Sequence, residues 1–374
     1  LRAATMLVLT MLAANGSAQP LEPETASQGR ERAHVSFGGR IGGARLGDDA
    51  YLYVTPSALL TLPRLTLAEE SPLFDTPQRP TLRIAAEVPL FFRVKDNPPT
   101  DQSTALRRQL WDDPAEKIRV VRWAELGRPY DGVYARVGEL PDVRIGHRTI
   151  VDAYDNAIDA ERFQWGVQAS LNTVYGGVEA IVDDVTNPDV VGGRVYVRPL
   201  SFGSDVAAGR RFAVGASLGA GYRRSDSGGM IVTSSELASI VGFDAEYVAA
   251  QSRVVTLTPY TDANVHLARG AGWHAGAFAG FKPFGPLVID LRAEYRLAGA
   301  GYLPAYVGRL YEVERLTYLP VEGSPLHQPK VVYADSLHGV RHGYAAEVGA
   351  NVASKLFLTG GWEGTTARSD TAAW

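Results

Sequence analysis

The sequence predicts an all-β fold: a transmembrane, antiparallel, up-and-down β-barrel of roughly 16 strands. Three observations predict it. Apolar and polar residues alternate with period two over segments of about ten residues, the length a tilted strand needs to cross a bilayer. Aromatic residues gather near the ends of the apolar rows. Short and long connections alternate along the later part of the chain.

The stretch PLVIDLRAEYRL (286–297) shows the first observation. Leu287, Ile289, Leu291, Ala293, Tyr295 and Leu297 form one row, and Val288, Asp290, Arg292, Glu294 and Arg296 form the other. Successive side chains of a strand point to opposite faces, so this segment sets an apolar face against one of alternating acid and base. The whole chain, by contrast, averages out: 374 residues, 45% hydrophobic, formal net charge -4, sequence pI near 6.0 and mean hydropathy -0.08. That charge gives no footprint for a nucleic-acid partner. The absence of cysteine excludes disulfides and thiol chemistry. Beyond the N-terminal segment, no run reaches the roughly 18 apolar residues of a membrane helix.

Taken in order, Arg2, the apolar run ATMLVLTMLAA and the small-residue stretch NGSAQP predict a signal peptide over 1–18, cleaved after Ala18, and therefore export. Residues 19–33 read as a flexible periplasmic leader, and 34–374 as the barrel. Alternation predicts strands at 34–45, 51–68, 81–95, 117–126, 131–138, 163–172, 175–184, 192–202, 211–223, 240–250, 253–268, 272–283, 286–298, 343–353 and 355–363. A soluble sandwich also alternates, but its strands cluster at about 5 to 6 residues. Nor would a soluble core place Trp165, Tyr222, Tyr247, Trp273, Phe281, Tyr295 and Tyr344 near strand ends, where a membrane-interface girdle belongs. Fifteen strands is an odd count, so at least one closing strand is expected to be missing or unread. The tail GTTARSDTAAW does not alternate and reads as the start of an outer loop.

From the fourth predicted strand on, short links near Pro129, Thr173, Ala207, Ser252, Gly285 and Ser354 alternate with longer ones. The longest, 139–162 and 299–342, predict functional outer loops that either fold into the lumen as a constriction or plug or extend outward. The second is rich in tyrosine (302, 306, 311, 318 and 333), which predicts order and leaves room for an extra hairpin.

The charges opposite the apolar rows are Arg83, Glu87, Arg93, Arg194, Arg198, Asp244, Glu246, Asp262, Asp290, Arg292, Glu294, Arg296 and Glu347, with Arg136, Glu179 and Asp183 beside them. An arginine facing lipid at mid-bilayer costs about 2–4 kcal/mol, so these residues are expected to line a polar lumen. Arg83, Arg93, Arg194 and Arg198 could form a basic strip facing the acids of the tenth and thirteenth strands. Equally, all could be cross-strand ion pairs that stiffen the wall.

Three motif matches have plain readings. Gly215-Ala216-Ser217-Leu218-Gly219 fits the nucleophile elbow of hydrolases, but it lies inside a continuous strand where the elbow requires a strand-to-helix turn. His338 and His342 stand four apart among glycines that oppose a helix, and read as loop histidines. Asp183–Gly193 clusters acids around a proline, and reads as turn chemistry in preference to calcium ligation. No enzyme activity, cofactor or metal is expected.

In layout, with its signal peptide, alternating strands, aromatic girdle and turn–loop rhythm, the mature chain resembles the porin-like outer-membrane β-barrels of Gram-negative bacteria. The stretch RVGELPDVRIGHRTIVDAYDN is similar to sequences of uncharacterised barrels. The resemblance implies residence in the outer membrane, contact with its lipid, and an aqueous channel for passive diffusion of small polar solutes. The alternative is a plugged structural barrel that joins other envelope proteins.

Overall fold

The computed structural model describes residues 8–10, 33–46, 49–69, 71–95, 119–158, 164–203, 206–223, 236–316, 318–320, 327–353 and 355–367. The wall begins with β1 (Val8–Thr10), β2 (His34–Leu46), β3 (Asp49–Thr61), β4 (Leu82–Glu87) and β5 (Leu90–Lys95). It continues through β6 (Val121–Leu126), β7 (Val133–Gly138), β8 (Gly166–Asn172), β9 (Gly176–Val182) and β10 (Val190–Val197). Next come β11 (Phe212–Arg223), β12 (Glu236–Tyr247), β13 (Ala250–Gln251), β14 (Val255–His266), β15 (Gly270–Phe281) and β16 (Leu287–Ala298). A separate hairpin, β17 (Leu319–Pro320) and β18 (His327–Gln328), precedes β19 (Arg341–Val352) and β20 (Leu356–Ala367).

Every ladder is antiparallel, and neighbours in the sheet follow chain order from β2 to β20. Ser57↔Glu87 and Val54↔Leu90 hold one register across Val88 and Pro89, so β4 and β5 make a single stave. β12 and β13 likewise pair with successive parts of β14. Leaving β1 aside, the 18-stranded sheet thus contains fifteen staves, each overlapping one of the fifteen predicted segments. Among the described residues no ladder joins β2 to β20. The outer edge of β20 pairs instead with β1, which falls in the expected signal segment and matches Thr359–Gly361.

Several boundaries differ from the sequence reading: the strand expected over 51–68 ends at Thr61, and the one expected from 240 begins at Glu236. The tail is strand as far as Ala367, where Gly364–Ala367 pair with Arg341–Tyr344. The β-branched Thr365 and Thr366 suit a ladder even without alternation, and 368–374 lie outside the described residues. The staves β6 to β10 are only 6–8 residues long. Their pairing nevertheless runs on past the strand bounds, as Val185 N–H donates to Trp165 C=O at 2.9 Å and Arg198 N–H to Tyr175 C=O at 2.8 Å. Pro199, fixed in φ and without an N–H, opens a 3₁₀ turn over Pro199–Phe202 where the sequence suggested more strand.

The surface is inside out relative to a soluble protein. Adjacent residues of one strand show it: Arg194 is 4% exposed and Val195 58%, while Asp244 is 7% exposed and Phe243 70%. The charged face is also the concave one. Gly146 N–H donates to Glu179 on β9, and Arg148, two residues on, donates to Glu347 on β19. On a flat sheet those staves would stand seven spacings of about 4.8 Å apart, roughly 34 Å. Two peptide units span at most about 7 Å, so the sheet must curl around this segment. An apolar convex face with charge enclosed is the wall of a membrane-spanning barrel.

A charge placed on the convex face tests that assignment. Leu291→Arg should cost about 2–4 kcal/mol of folding free energy in lipid vesicles, whereas Asp290→Asn, one residue away on the water-exposed inner face, should be near neutral. Equal effects in a urea titration of vesicle-inserted protein would rule out the assignment of faces.

Candidate functional site

The segment between β7 and β8, described as far as Ile158, turns into the barrel. Val143 and Tyr154 exchange backbone hydrogen bonds of 2.8 and 2.9 Å, which fold the segment into a hairpin with its tip near His147. Asp142, Gly146, Arg148 and Ala153 all take positive φ, between 53° and 67°. Three of the four are not glycine, and such backbone persists only where its surroundings over-determine it.

Those surroundings are partly apolar. The second long connection lies alongside: Asp152 N–H donates to Val307 C=O, Val307 N–H to Ile150 C=O, and Ala305 N–H to Thr149 C=O, at 2.8–3.1 Å. Leu140, Val143, Ile150, Val151 and Tyr154 from the first connection pack with Tyr302, Leu303, Tyr306, Val307 and Tyr311 from the second, all nearly solvent-free. The two expected outer loops therefore share one core inside the wall. The described part of the tyrosine-rich loop has one helical turn at Tyr311–Glu314, another at Lys330–Asp335, and the antiparallel pair β17–β18.

The wall accommodates this core with small inward residues. A Cβ at Gly219 would stand 2.4 Å from Ile150 Cγ2. One at Gly215 would stand 2.7 Å from an Asp244 oxygen and 3.0 Å from Arg194 Nε. The glycines of the elbow-like sequence are therefore spacers, one for the inserted loop and one for an ion pair, and Ser217 sits within the unbroken β11.

The rest of the surroundings are polar. His147, 3% exposed, lies 2.8 Å from Glu246 through Nε2, and 3.4 Å from Asp262 and 4.0 Å from Asp244 through Nδ1. Its ring stacks on Tyr260 at 4.4 Å. Burial works against a charge on this imidazole, but the carboxylates of Asp262 and Glu246 outweigh it and push the pKa up to about 9. Thr149 Oγ1 donates to Asp262 at 2.8 Å. Arg194 grips Asp244 in a fork, Nε at 3.0 Å and Nη2 at 2.5 Å. Arg292 donates to the His147 carbonyl at 3.0 Å, to Asp152 at 3.1 Å, to Glu294 at 2.8 Å and to Tyr260 Oη at 3.2 Å. Glu294 also receives Tyr260 Oη at 2.6 Å and meets His274 Nδ1 at 3.1 Å and Arg296, and His274 Nε2 reaches Tyr302 Oη at 2.8 Å.

The structure thus gathers Arg194, Asp244, Glu246, Asp262, Arg292, Glu294, Arg296 and Glu347, with Glu179, around one inserted hairpin. Arg83 stands apart, paired with Glu125 beside Arg136, while Glu87 accepts from Arg40 at 2.5 Å and Arg93 lies 3.5 Å from Asp49. Arg198 donates to Asn172 and the Thr173 carbonyl, and Asp290 is open to water. The basic strip does not form: Arg83, Arg93, Arg194 and Arg198 each meet partners within the wall.

Trp273, Tyr295 and Tyr344 stand side by side on the outer face, with ring separations of 6.2 and 5.4 Å across three staves. Phe281 is at the other end of β15 and Tyr247 at the end of β12, while Trp165 precedes β8 and Tyr222 lies next to last on β11. His342 sits on β19 against Tyr295 Oη at 2.5 Å, and His338 in the bend before that strand. Asp184 accepts the N–H of Thr186, two residues on, at 2.9 Å, which is the Asx chemistry read from the sequence, while Asp183 accepts from Asp189 and Val190 across the turn at 3.0 and 2.9 Å.

Between the inserted hairpin and the wall of β16, β19 and β20 lies an open cavity of about 360 Å³, lined by Arg144, Asp152, Arg292, Arg296, Arg309, Glu347, Glu363 and Trp362 among others. Sequence reasoning missed His147, Thr149, Asp152, Tyr260, His274 and Tyr302. Four lie in the two connections, where no periodicity marks a face, and Tyr260 and His274 are on strands but were not singled out.

No protein-family model matches the sequence, and no curated protein is similar to it. Solved structures that resemble it include a porin (8% identity, 90% of this chain and 100% of that one, TM-score 0.33). Others are OmpT, an outer membrane protein of Vibrio cholerae (10%, 90% and 99%, 0.33), and the outer membrane channel DcaP of Acinetobacter baumannii (9%, 89% and 97%, 0.32). The reading of the site rests on the chain's own geometry.

Two substitutions probe how the hairpin is held. Gly219→Val should expel Ile150 at a cost of about 1–3 kcal/mol, leaving the wall folded and the loop open to protease. Arg292→Ala leaves buried acids without their partner and should cost about 3–5 kcal/mol. Limited proteolysis, with folded migration on unboiled gels as the control, reads both. A loop as resistant in Gly219→Val as in the parent would show that the packing does not hold it.

Proposed function

We propose that the chain forms a constricted, porin-like aqueous channel in the outer membrane of a Gram-negative bacterium, for passive diffusion of small polar solutes. The observation that carries this reading is the open cavity beside the inserted hairpin. Arg144, Arg292, Arg296 and Arg309 stand there with Asp152, Glu347 and Glu363, so the walls carry both signs of charge around a space large enough for several waters. Charged rings of this kind replace a solute's hydration while steering its dipole. The N-terminal segment, read as an export signal, supports the location.

A second reading has an observation of its own. The apolar core shared by the two connections reaches Ile181 and Val190 on the β9–β10 side and Ile240 on β12, so that part of the lumen holds buried apolar side chains. A wholly sealed barrel would then serve as a structural or partner-binding element of the envelope.

Planar-bilayer recording separates the two. The parent protein should pass a small, steady ion current, and replacing residues 142–153 with a short Gly-Ser link should raise the conductance severalfold. A parent that passes no current while the shortened protein conducts would mean that the hairpin seals the barrel, and the channel reading would fall.

A further inference from the structure

His147 brings an imidazole from the inserted hairpin to two aspartates that come from different staves, Asp244 on β12 and Asp262 on β14. One donor atom of each lies within 4.8 Å of the others, and all three residues are buried. His147 Nδ1 and Asp262 Oδ2 are 3.4 Å apart. Two ligands bound at about 2.0–2.1 Å in a tetrahedral shell stand roughly 3.3–3.4 Å apart, so this pair already has a coordination spacing, while Asp244 at 4.0 Å needs to close by several tenths of an ångström.

Two further observations point to a cation. His147 Nδ1 and Asp262 Oδ1 make no hydrogen bond although their residues are only 3% and 2% exposed. Buried polar atoms are seldom left so. The local charge is also unbalanced. Among the described residues, Glu179, Asp244, Glu246 and Asp262 have ion-pair contacts only with Arg194 and His147, while Arg292 nearby is committed to Glu294 and Asp152. With the His147 ring neutral, as ligation requires, four acids face one guanidinium, and a divalent ion offsets two of the three negative charges left over. Arg194 holds Asp244 Oδ1 on one side, but a carboxylate oxygen has a second lone pair to offer.

From this geometry we infer a binding site for a zinc-class divalent ion, held by His147 Nδ1, Asp244 and Asp262, with a fourth position left for water. One imidazole with two carboxylates and an open position is a ligand set that zinc accepts. Ligation uses the neutral ring, so Nδ1 carries no proton when the ion is bound. Its ligands come from the hairpin and from two wall staves, so the ion ties the constriction to the barrel. Glu246, on the other ring nitrogen at 2.8 Å, orients the imidazole as carboxylates do for metal-bound histidines.

The test uses tag-free, folded protein in detergent, stripped with chelator, equilibrated with zinc sulfate and assayed for metal. The parent and His342→Ala, which removes a histidine remote from the cluster, should each hold one zinc per chain. His147→Gln and Asp262→Asn, checked for folding by migration on unboiled gels, should bind at least tenfold more weakly. Zinc-edge X-ray absorption on the unmodified protein needs no variant, and should show a single imidazole in a shell of oxygens. No stoichiometric zinc in the parent, retention by both folded variants, or a shell with two or more imidazoles would overturn the site.

Discussion

Hydrocarbon cannot solvate a charge, and the rest of this structure follows from where that constraint sends the charged side chains. Most staves of the later wall carry at least one acid, base or amide opposite the apolar row, and each such row must turn away from lipid. The charges then crowd a narrow interior, where a lone ion is costly and a paired one is tolerated only with its hydrogen bonds complete. Arg194 with Asp244, and Arg292 with Glu294 and Tyr260, meet that condition. The inserted hairpin supplies partners that the wall does not: its Gly146 N–H donates to Glu179, its His147 carbonyl and Asp152 accept from Arg292, and Thr149 Oγ1 donates to Asp262. The hairpin is in this sense a solvent for the wall's inner face.

The same constraint shapes the backbone of the hairpin. To present donors and acceptors to staves on several sides within a few residues, the chain bends through four positive-φ positions, and three of those residues have side chains that disfavour that conformation. Tertiary contacts must supply the difference. The apolar core with Tyr302, Tyr306 and Tyr311 does so on one side, and the bonds to Arg292 do so on the other. Both connections contribute buried apolar residues to that core, so each covers apolar surface of the other inside the wall.

How much of this was legible in the sequence depends on whether a period existed to read. Along PLVIDLRAEYRL the period is two, and the exposure of Leu291 beside buried Arg292 agrees with it; the same holds for Phe243 beside Asp244. All fifteen segments are found as staves because alternation is a local property. The short staves β6 to β10 are less sharply bounded, since their ends pass into glycine turns such as Gly138 and Gly176, where positive φ bends the chain before the residue pattern changes. The inserted hairpin alternates only over Val143–Thr149, where Val143, Ile145, His147 and Thr149 are buried between Arg144, Gly146 and Arg148, too short a run to mark a face before Ile150 and Val151 break it. His147 meets partners about a hundred positions away in the chain. Gly215 and Gly219 did carry a signal, since small inward residues in a strand mark close approach, but a sequence cannot say what approaches.

The distribution of filling argues for where solutes would pass. On the side of β9 to β12 the shared core places Ile150, Val151 and Tyr154 in one buried apolar cluster with Ile181, Val190 and Ile240, beside the tightly ion-paired Glu179, Arg194 and Asp244. On the side of β16, β19 and β20 the hairpin meets the wall through Arg148 and Arg144 with Glu347, long side chains whose contacts leave space between them. Dry packing resists water because it has no unsatisfied groups to attract it, whereas charged side chains at partial occupancy of their shells require it. The apolar packing thus fastens the hairpin to one part of the wall, while its charged contacts border the open cavity on the other.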